Sequence, residues 1–329
     1  MAEPAAVPPP AAPAPERVLL IKAKGGLGNR MLSAVTGLIY ADLCGRVPVI
    51  DWRDGIYAAP GVNAYPLLFT APDMPDPALF DARTDVAPAK WQGRMAEHPS
   101  RIVEGEHNGA LVYRNSCIDI TRPDHDPEVA VFWSYVPKVP RLRRLMARDA
   151  RFAGRSRTEI VCDYLTRYFS PNDRVQRAVD AVFAGLERPV IGAHLRYTDM
   201  AGPLDKVKAE LARLRARMPD APIFLATDSF AAQEDIRAAF GNLHVTEKYL
   251  PEDGGRLHLL HDSVDPVVEA ENAMIDMWAL GACDWLIYSR NSTFSGTSAL
   301  IGGLPADRLG NVDRFSPRIM AKRFVQDYL

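Results

Sequence analysis

Val18-Leu19-Leu20-Ile21-Lys22-Ala23-Lys24-Gly25-Gly26-Leu27-Gly28-Asn29-Arg30 is the stretch whose reading decides the fold of this chain. Residues 18–21 form an apolar run that reads as a buried strand, and the glycines after it open a turn. Met31, Val35, Leu38, Ile39 and Leu43 then recur at helical spacing. Gly45 stands where a helix ends in a left-handed residue. Val47-Pro48-Val49-Ile50 reads as a second strand, ending in Asp51-Trp52-Arg53-Asp54. Strand, loop, helix and strand in that order predict a parallel sheet with a right-handed crossover.

The same rhythm returns after residue 188. Pro189-Val190-Ile191 runs into Gly192-Ala193-His194-Leu195-Arg196-Tyr197-Thr198-Asp199, a strand that ends by presenting His, Arg and Asp. Val207, Leu211 and Leu214 mark a basic amphipathic helix. Ile223-Phe224-Leu225-Ala226 is a strand ending in Thr227-Asp228, and Ile236 and Phe240 lie on the helix after it. Leu243-His244-Val245 is a third short strand. A long helix over about 266–281 buries Val267, Met274 and Trp278. Trp285-Leu286-Ile287-Tyr288 is the last strand, ending in Ser289-Arg290-Asn291-Ser292-Thr293-Phe294-Ser295 before a helix of small residues. Between the two regular parts, residues 57–140 carry many prolines and one short strand near Val131-Phe132-Trp133. Residues 141–186 read as two helical pieces broken at Ser170-Pro171-Asn172. The expected fold class is α/β, with two Rossmann-like domains facing across a cleft. Residues 1–16 are an Ala/Pro tail, 17–187 one domain and 188–329 the other.

Composition bounds the function. The 329 residues carry a formal net charge of −2, and no Lys/Arg run reads as a nucleic-acid or membrane-surface patch. Cys44, Cys117, Cys162 and Cys283 are widely spaced, which fits reduced thiols in a cytoplasmic protein. The first 15 residues lack a basic start and an apolar stretch, so they do not read as a signal peptide. No run reaches the roughly 18 apolar residues of a membrane span.

Several constellations carry chemistry. In open α/β sheets ligands bind beyond the carboxyl ends of the strands, and the fork of a guanidinium suits a diphosphate. Arg196 is therefore a candidate anion ligand, against the plainer reading of a surface pair with Asp199. Glycines at a helix start let N–H groups approach an anion, which makes Gly26, Gly28 and Asn29 candidates too. Read as Gly26-x-Gly28 with Asp51 on the next strand, the same loop is a dinucleotide fingerprint whose third glycine is missing. That alternative is an NAD-dependent oxidoreductase with Asp51 on the ribose. Asp228, Ser292 and Ser295 lie at strand ends where they serve either a nucleotide or a helix cap. Asp276 sits among apolar helix neighbours, where an unpaired carboxylate is costly. Asn291-Ser292-Thr293 matches a glycosylation sequon, discounted without a secretion signal. Asp124-His125-Asp126 has the D-x-D form of metal-dependent sugar transferases but lies in a Pro-flanked loop with no strand before it, and His258, His261 and Asp262 follow Gly254-Gly255 in what reads as a loop, so no metal is expected.

Taken together these motifs resemble the fucosyltransferase superfamily of α1,2-, α1,6- and protein O-fucosyltransferases. Gly25-Gly26-Leu27-Gly28-Asn29-Arg30-Met31 resembles the glycine loop of the α1,2 enzymes. Val49-Ile50-Asp51-Trp52-Arg53 is similar to the same region of the rhizobial nodulation α1,6 type. His194-x-Arg196-x-Thr198-Asp199 resembles the central H-x-R motif shared across the superfamily, and Phe224-Leu225-Ala226-Thr227-Asp228 and Asn291-Ser292-Thr293-Phe294-Ser295 resemble its two later motifs. The resemblance covers about residues 17–55 and 188–303.

It implies a GT-B fold, GDP-fucose as donor, a glycan or glycoconjugate acceptor, inversion at the anomeric carbon, and neither metal nor cofactor. By position it places Arg196 on the β-phosphate with Ser292 and the Gly28 backbone. His194 and Asp276 fall on guanine, and Asp228 beside the ribose. Tyr197 stands where the α1,6 enzymes carry a second Arg, and Met200 where they carry a Lys. The carboxylate that acts as base in some of them falls on Leu204. Asp205, Asp54 and Glu269 are the candidate bases. A non-catalytic nucleotide-sugar-binding protein remains the other alternative.

Overall fold

A strand whose five residues are all buried needs covering on both faces. The computed structural model describes residues 17–104, 115–123, 125–196, 204–246, 265–313 and 316–328, and supplies that cover. β1 (Val18–Lys22) leads into α1 (Leu27–Cys44), and the chain returns as β2 (Val47–Asp51), parallel to β1. Gly45 ends α1 at a left-handed φ of 62°, its N–H bonded to the Ala41 carbonyl. β3 (Phe69–Thr70) stands apart, while β4 (Val86–Ala87) and β5 (Val129–Phe132) complete a parallel sheet of order β2-β1-β5-β4.

α2 (Arg157–Tyr168) and α3 (Asp173–Phe183) flank β6 (Ser170–Pro171), which pairs antiparallel with β3. The break at residues 170–172 falls where expected, but α2 starts at 157 rather than 141. Ser156 and Glu159 close a reciprocal capping box there, and residues 139–152 are short turns of helix instead.

The second sheet follows the α/β rhythm. β7 (Ile191–Leu195), α4 (Leu204–Arg215), β8 (Ile223–Thr227), α5 (Phe230–Phe240) and β9 (Leu243–His244) come first. α6 (Pro266–Ala282), β10 (Trp285–Tyr288) and α7 (Thr293–Ile301) follow. β11 (Leu309–Asn311) and α8 (Pro317–Tyr328), which the hydrophobic pattern did not reveal, close the chain. All strands of this sheet are parallel, in the order β11-β10-β7-β8-β9.

The two sheets do not have fully separate cores. Met274, Ile275 and Trp278 of α6 belong to the same buried cluster as Val35, Leu38 and Ile39 of α1. α2 packs on both α1 and α7, and α3 packs on α6. Their relative placement is therefore held by apolar burial. In the irregular middle, Trp91 and Trp133 both donate their indole N–H to the Ser116 carbonyl, at 2.7 and 2.9 Å. None of the four cysteines is in a disulfide. Among the described residues no helix is long and apolar enough to cross a membrane. The Ala/Pro tail, residues 1–16, lies outside the described residues.

Candidate functional site

β7 lies between β10 and β8, so three chain exits sit side by side at one carboxyl edge. They are Arg196 after β7, Asp228 after β8 and the Ser289–Ser295 segment after β10. Separate stretches of sequence thus converge on one edge, as expected. The His194 ring stacks on Phe294 of α7, with centroids 5.1 Å apart and planes 24° apart. Ser289 and the Asn291 N–H both bond to the Asp313 carboxylate, at 2.7 and 2.8 Å, which orients the β10–α7 turn from beyond β11. Arg196 is exposed and Asp228 half-buried. Asp276 is buried on α6 and accepts a 2.6 Å hydrogen bond from the Thr246 hydroxyl.

The glycine loop meets this edge. Gly26 is the N-cap of α1 and Ser292 the N-cap of α7, and neither provides a side-chain cap. A Cβ at Gly28 would lie 2.6 Å from the Thr293 carbonyl oxygen, so the first turns of the two helices touch. Each first turn presents N–H groups with no intrahelical acceptor, and each carries the positive end of a helix dipole. Two such ends in contact repel unless something negative lies beside them. The Ser292 hydroxyl and the Asn29 amide oxygen are buried there without a hydrogen-bond partner among the described residues. This arrangement suits an anion. Gly28→Ala is expected to cost about 1–3 kcal/mol by overpacking. A melting temperature equal to wild type would show that the contact is not made.

Ser295 differs from Ser292 in that its hydroxyl already has a partner. Its side chain is fully buried and its hydroxyl donates to the Ser289 carbonyl at 3.2 Å, so that hydroxyl braces the turn. Only its backbone N–H, in the first turn of α7, remains for a ligand.

The N-terminal half presents two buried ionic clusters at the ends of β1 and β2. Lys22 and Asp51, register partners across the two strands, pair at 2.8 Å. Arg53 grips Asp51 through Nε and Nη2, at 3.0 and 2.9 Å, and also pairs with Asp81 at 2.8 Å. Lys22 and Arg53 hold the Asp51 carboxyl below its ordinary range against the opposing cost of burial, whereas burial pulls Lys22 below its ordinary range. Asp51 is consumed by these contacts, which corrects the NAD reading: its ribose ligand is not presented.

In the second cluster Arg30 donates to the Gly25 carbonyl at 2.7 Å and pairs with Asp54 at 2.7 Å. Its guanidinium lies 5.6 Å from the Trp52 ring centroid and 4.9 Å from that of Tyr57. Asp54, a candidate base, is thus half of a buried ion pair. Arg30 and His98 escaped the sequence reading. The signal for Arg30 was a charge inside a helix start whose other residues, Asn29 apart, are apolar or small. Of the other candidate bases, Asp205 is exposed in the first turn of α4 and Glu269 half-buried in that of α6.

His98 Nδ1 accepts from the Ser100 N–H at 3.0 Å, which leaves the proton of the neutral ring on Nε2, 3.8 Å from Asp54. Burial, the dominant cause, holds its pKa below 6.5. Well above that value folded and unfolded rings are both neutral. As pH falls the unfolded chain takes up the proton first, so stability declines. Melting curves stepped downward from pH 6.5 are expected to fall less steeply for His98→Gln than for wild type.

Tyr197, Thr198, Asp199, Met200, Asp124, His258, His261 and Asp262 lie outside the described residues. Among the described residues no group of three or more His, Cys, Asp or Glu is placed to hold a metal ion.

Two facing parallel α/β layers, joined at a polar strand edge, define the GT-B class of architecture. The chain is 27% identical over 327 residues to nodulation protein Z of Azorhizobium caulinodans, covering 87% of this chain and 89% of that one. The structure of the NodZ α-1,6-fucosyltransferase soaked with GDP-fucose matches at a TM-score of 0.61 and 19% identity, over 87% of this chain and 92% of that one. An Arabidopsis thaliana FUT1 variant in complex with GDP matches at 0.57 and 16% identity, over 94% and 73%. POFUT1 in complex with GDP matches at 0.53 and 12%, over 91% and 99%. No protein-family model matches the chain. The chain is thus similar in sequence to nodulation protein Z and shares the fold of these solved fucosyltransferase structures.

Proposed function

We propose that this chain is an inverting fucosyltransferase, carrying fucose from GDP-fucose to a glycan or glycoconjugate acceptor in the cytoplasm without a metal ion. The observation that carries the reading is the contact of two uncapped helix starts at Gly28 and Thr293, with Ser292 orphaned beside them and Arg196 on the neighbouring strand end. A GDP diphosphate supplies the negative charge that such a junction calls for. The likeness to nodulation protein Z supports fucose as the sugar.

In this reading residues 188–329 hold the donor and residues 17–187 face the acceptor. Arg196, the Ser292 hydroxyl and the Gly28 backbone take the β-phosphate. His194 and Asp276 hold guanine, and Asp228 lies by the ribose. As the bond from the sugar to the β-phosphate oxygen breaks, that oxygen gains negative charge while the sugar becomes oxocarbenium-like. The guanidinium and the N–H groups are already oriented towards that charge, so they stabilise the transition state more than the ground state. Asp205, Asp54 and Glu269 are the candidate bases for the acceptor proton, Asp54 within its ion pair with Arg30.

The test is a set of melting curves with GDP, GDP-fucose, GDP-mannose, UDP-sugars and NAD, each with and without EDTA, followed by transfer assays over a panel of glycans. Stabilisation by GDP and GDP-fucose, unchanged by EDTA, together with fucosyl transfer, is the expected result. Stabilisation by NAD or UDP-sugars alone, or one abolished by EDTA, would reject the reading. Binding of GDP-fucose with neither hydrolysis nor transfer would make the chain a sugar-nucleotide binder.

A further inference from the structure

In the first sheet β1 lies between β2 and β5, so the chains leaving those two strands flank the glycine loop. From β5 comes Tyr135, 45% exposed and three residues past the last strand residue, Phe132. A Cβ at Gly25 would lie 2.8 Å from Tyr135 Cε2 and 3.3 Å from Cδ2. That edge of the ring therefore fills the space left by the missing side chain. Gly25 also has a left-handed φ of 82°, which disfavours any larger residue there. From the β2 side comes Tyr57, half-buried, with the Arg30 guanidinium at its ring and its hydroxyl 4.0 Å from the Cβ position of Gly26. Gly26 itself is exposed. The lip of the loop is thus bare backbone with an aromatic ring against each of its first two glycines.

The segment that carries Tyr135 is braced on both sides. Before it, the buried Trp133 indole is bonded to the Ser116 carbonyl, and the Lys24 ammonium lies 5.7 Å from the Trp133 ring centroid. The Ser134 hydroxyl donates to the Val136 carbonyl and accepts from the Val136 N–H. After it, the Lys138 N–H donates to the Thr36 hydroxyl of α1 at 2.9 Å. An aromatic ring on so fixed a backbone needs little ordering when a ligand arrives, and it still has apolar area to bury.

We infer that Tyr135 is the platform on which an acceptor sugar stacks. A pyranose carries hydroxyls around its rim and C–H bonds on its faces. A face can therefore pack on an aromatic ring while the rim keeps its hydrogen bonds. The inference rests on the proposed fucosyl transfer and adds to it where the acceptor lies. Gly25 and Gly28 are three residues apart, at most about 11 Å along the chain. A saccharide on Tyr135 thus lies within its own reach of a sugar held at the junction of α1 and α7. The donor sugar is the less fitting occupant. Tyr135 belongs to the first sheet and meets the loop at Gly25, whereas the contact with Thr293 is made at Gly28.

Initial-rate kinetics of Tyr135→Ala and Tyr135→Phe, with a glycan that the wild type fucosylates, test it. Tyr135→Ala is expected to raise the acceptor KM about tenfold. Its kcat, GDP-fucose KM and GDP-fucose hydrolysis should not move, the pattern of lost uniform binding. Tyr135→Phe keeps the ring and should stay near wild type, and both variants should melt with wild type. An unchanged acceptor KM in folded Tyr135→Ala would overturn the inference. A raised GDP-fucose KM in its place would overturn it in favour of the donor sugar. Saturation-transfer NMR in the presence of GDP reads the subsite without any reaction, with cellobiose, lactose, mannobiose and N,N′-diacetylchitobiose as probes. Wild type should saturate the ring protons of one or more of them, and Tyr135→Ala should lose that signal. Such a result in a protein that transfers nothing would uphold the subsite while the transferase reading fails. No signal with wild type, or the same signal with Tyr135→Ala, would overturn the subsite and leave that reading to its own test.

Discussion

Arg196→Ala is expected to leave the melting temperature of the protein unchanged and to lower its fucosyl-transfer rate by about 10²–10³, the effect of removing one preorganised charge-stabilising donor. The side chain stands exposed at the end of β7, so its removal empties no core. In the proposed reaction it removes a cation from the strand edge next to the α1–α7 junction, where charge would grow on the leaving diphosphate. Arg196→Lys should recover only part of the rate, because an ammonium is a point charge and cannot grip two phosphate oxygens in one plane. Single-turnover transfer and GDP-fucose hydrolysis should fall together, since both break the same bond. Transfer near the wild-type rate by a folded Arg196→Ala protein would remove Arg196 from the mechanism.

The parts of this protein that were legible in the sequence are those whose signal is local. Residues 18–21 are apolar without interruption, and Gly45 closes the helix that follows. Each polar strand end directly follows its own apolar run. The joining of those ends was legible in part, because a parallel α/β sheet brings all its carboxyl ends to one edge. What escaped were contacts between distant residues. Asp51 has the position of a ribose ligand when β2 is read alone; on the folded sheet it faces Lys22 of β1 and is clamped by Arg53. Gly28 reads as a residue that lets backbone approach an anion, yet its Cβ position is filled by the carbonyl of Thr293. The middle of the chain has no period to read because bonds such as those from Trp91 and Trp133 to the Ser116 carbonyl help hold it. α8 escaped because Ile319, Met320 and Val325 stand exposed on different sides of it, so no buried stripe marks it.

The same folded-state contacts predict the largest loss of stability. In Asp51→Asn, Lys22 stays buried at 2% exposure without its anion, and Arg53 is left with Asp81 alone. Breaking a buried ion pair from one side costs about 3–5 kcal/mol, a large part of the stability of an ordinary domain. Lys22→Met should cost less, because Arg53 still neutralises Asp51 and the methionine fills much of the lysine's volume. The two substitutions therefore rank the partners, and urea unfolding of each reads the difference. The pH profile separates charge from packing. Asp51 titrates lower in the folded state than its ordinary 3.8, so its contribution is complete above that value and is lost as pH falls through the folded one. Asp51→Asn should lack that acid limb, whereas a merely loosened core would lose the same stability at every pH. If Lys22→Met proves the costlier change, Arg53 does not neutralise Asp51, and the network is not the three-membered clamp that these distances describe.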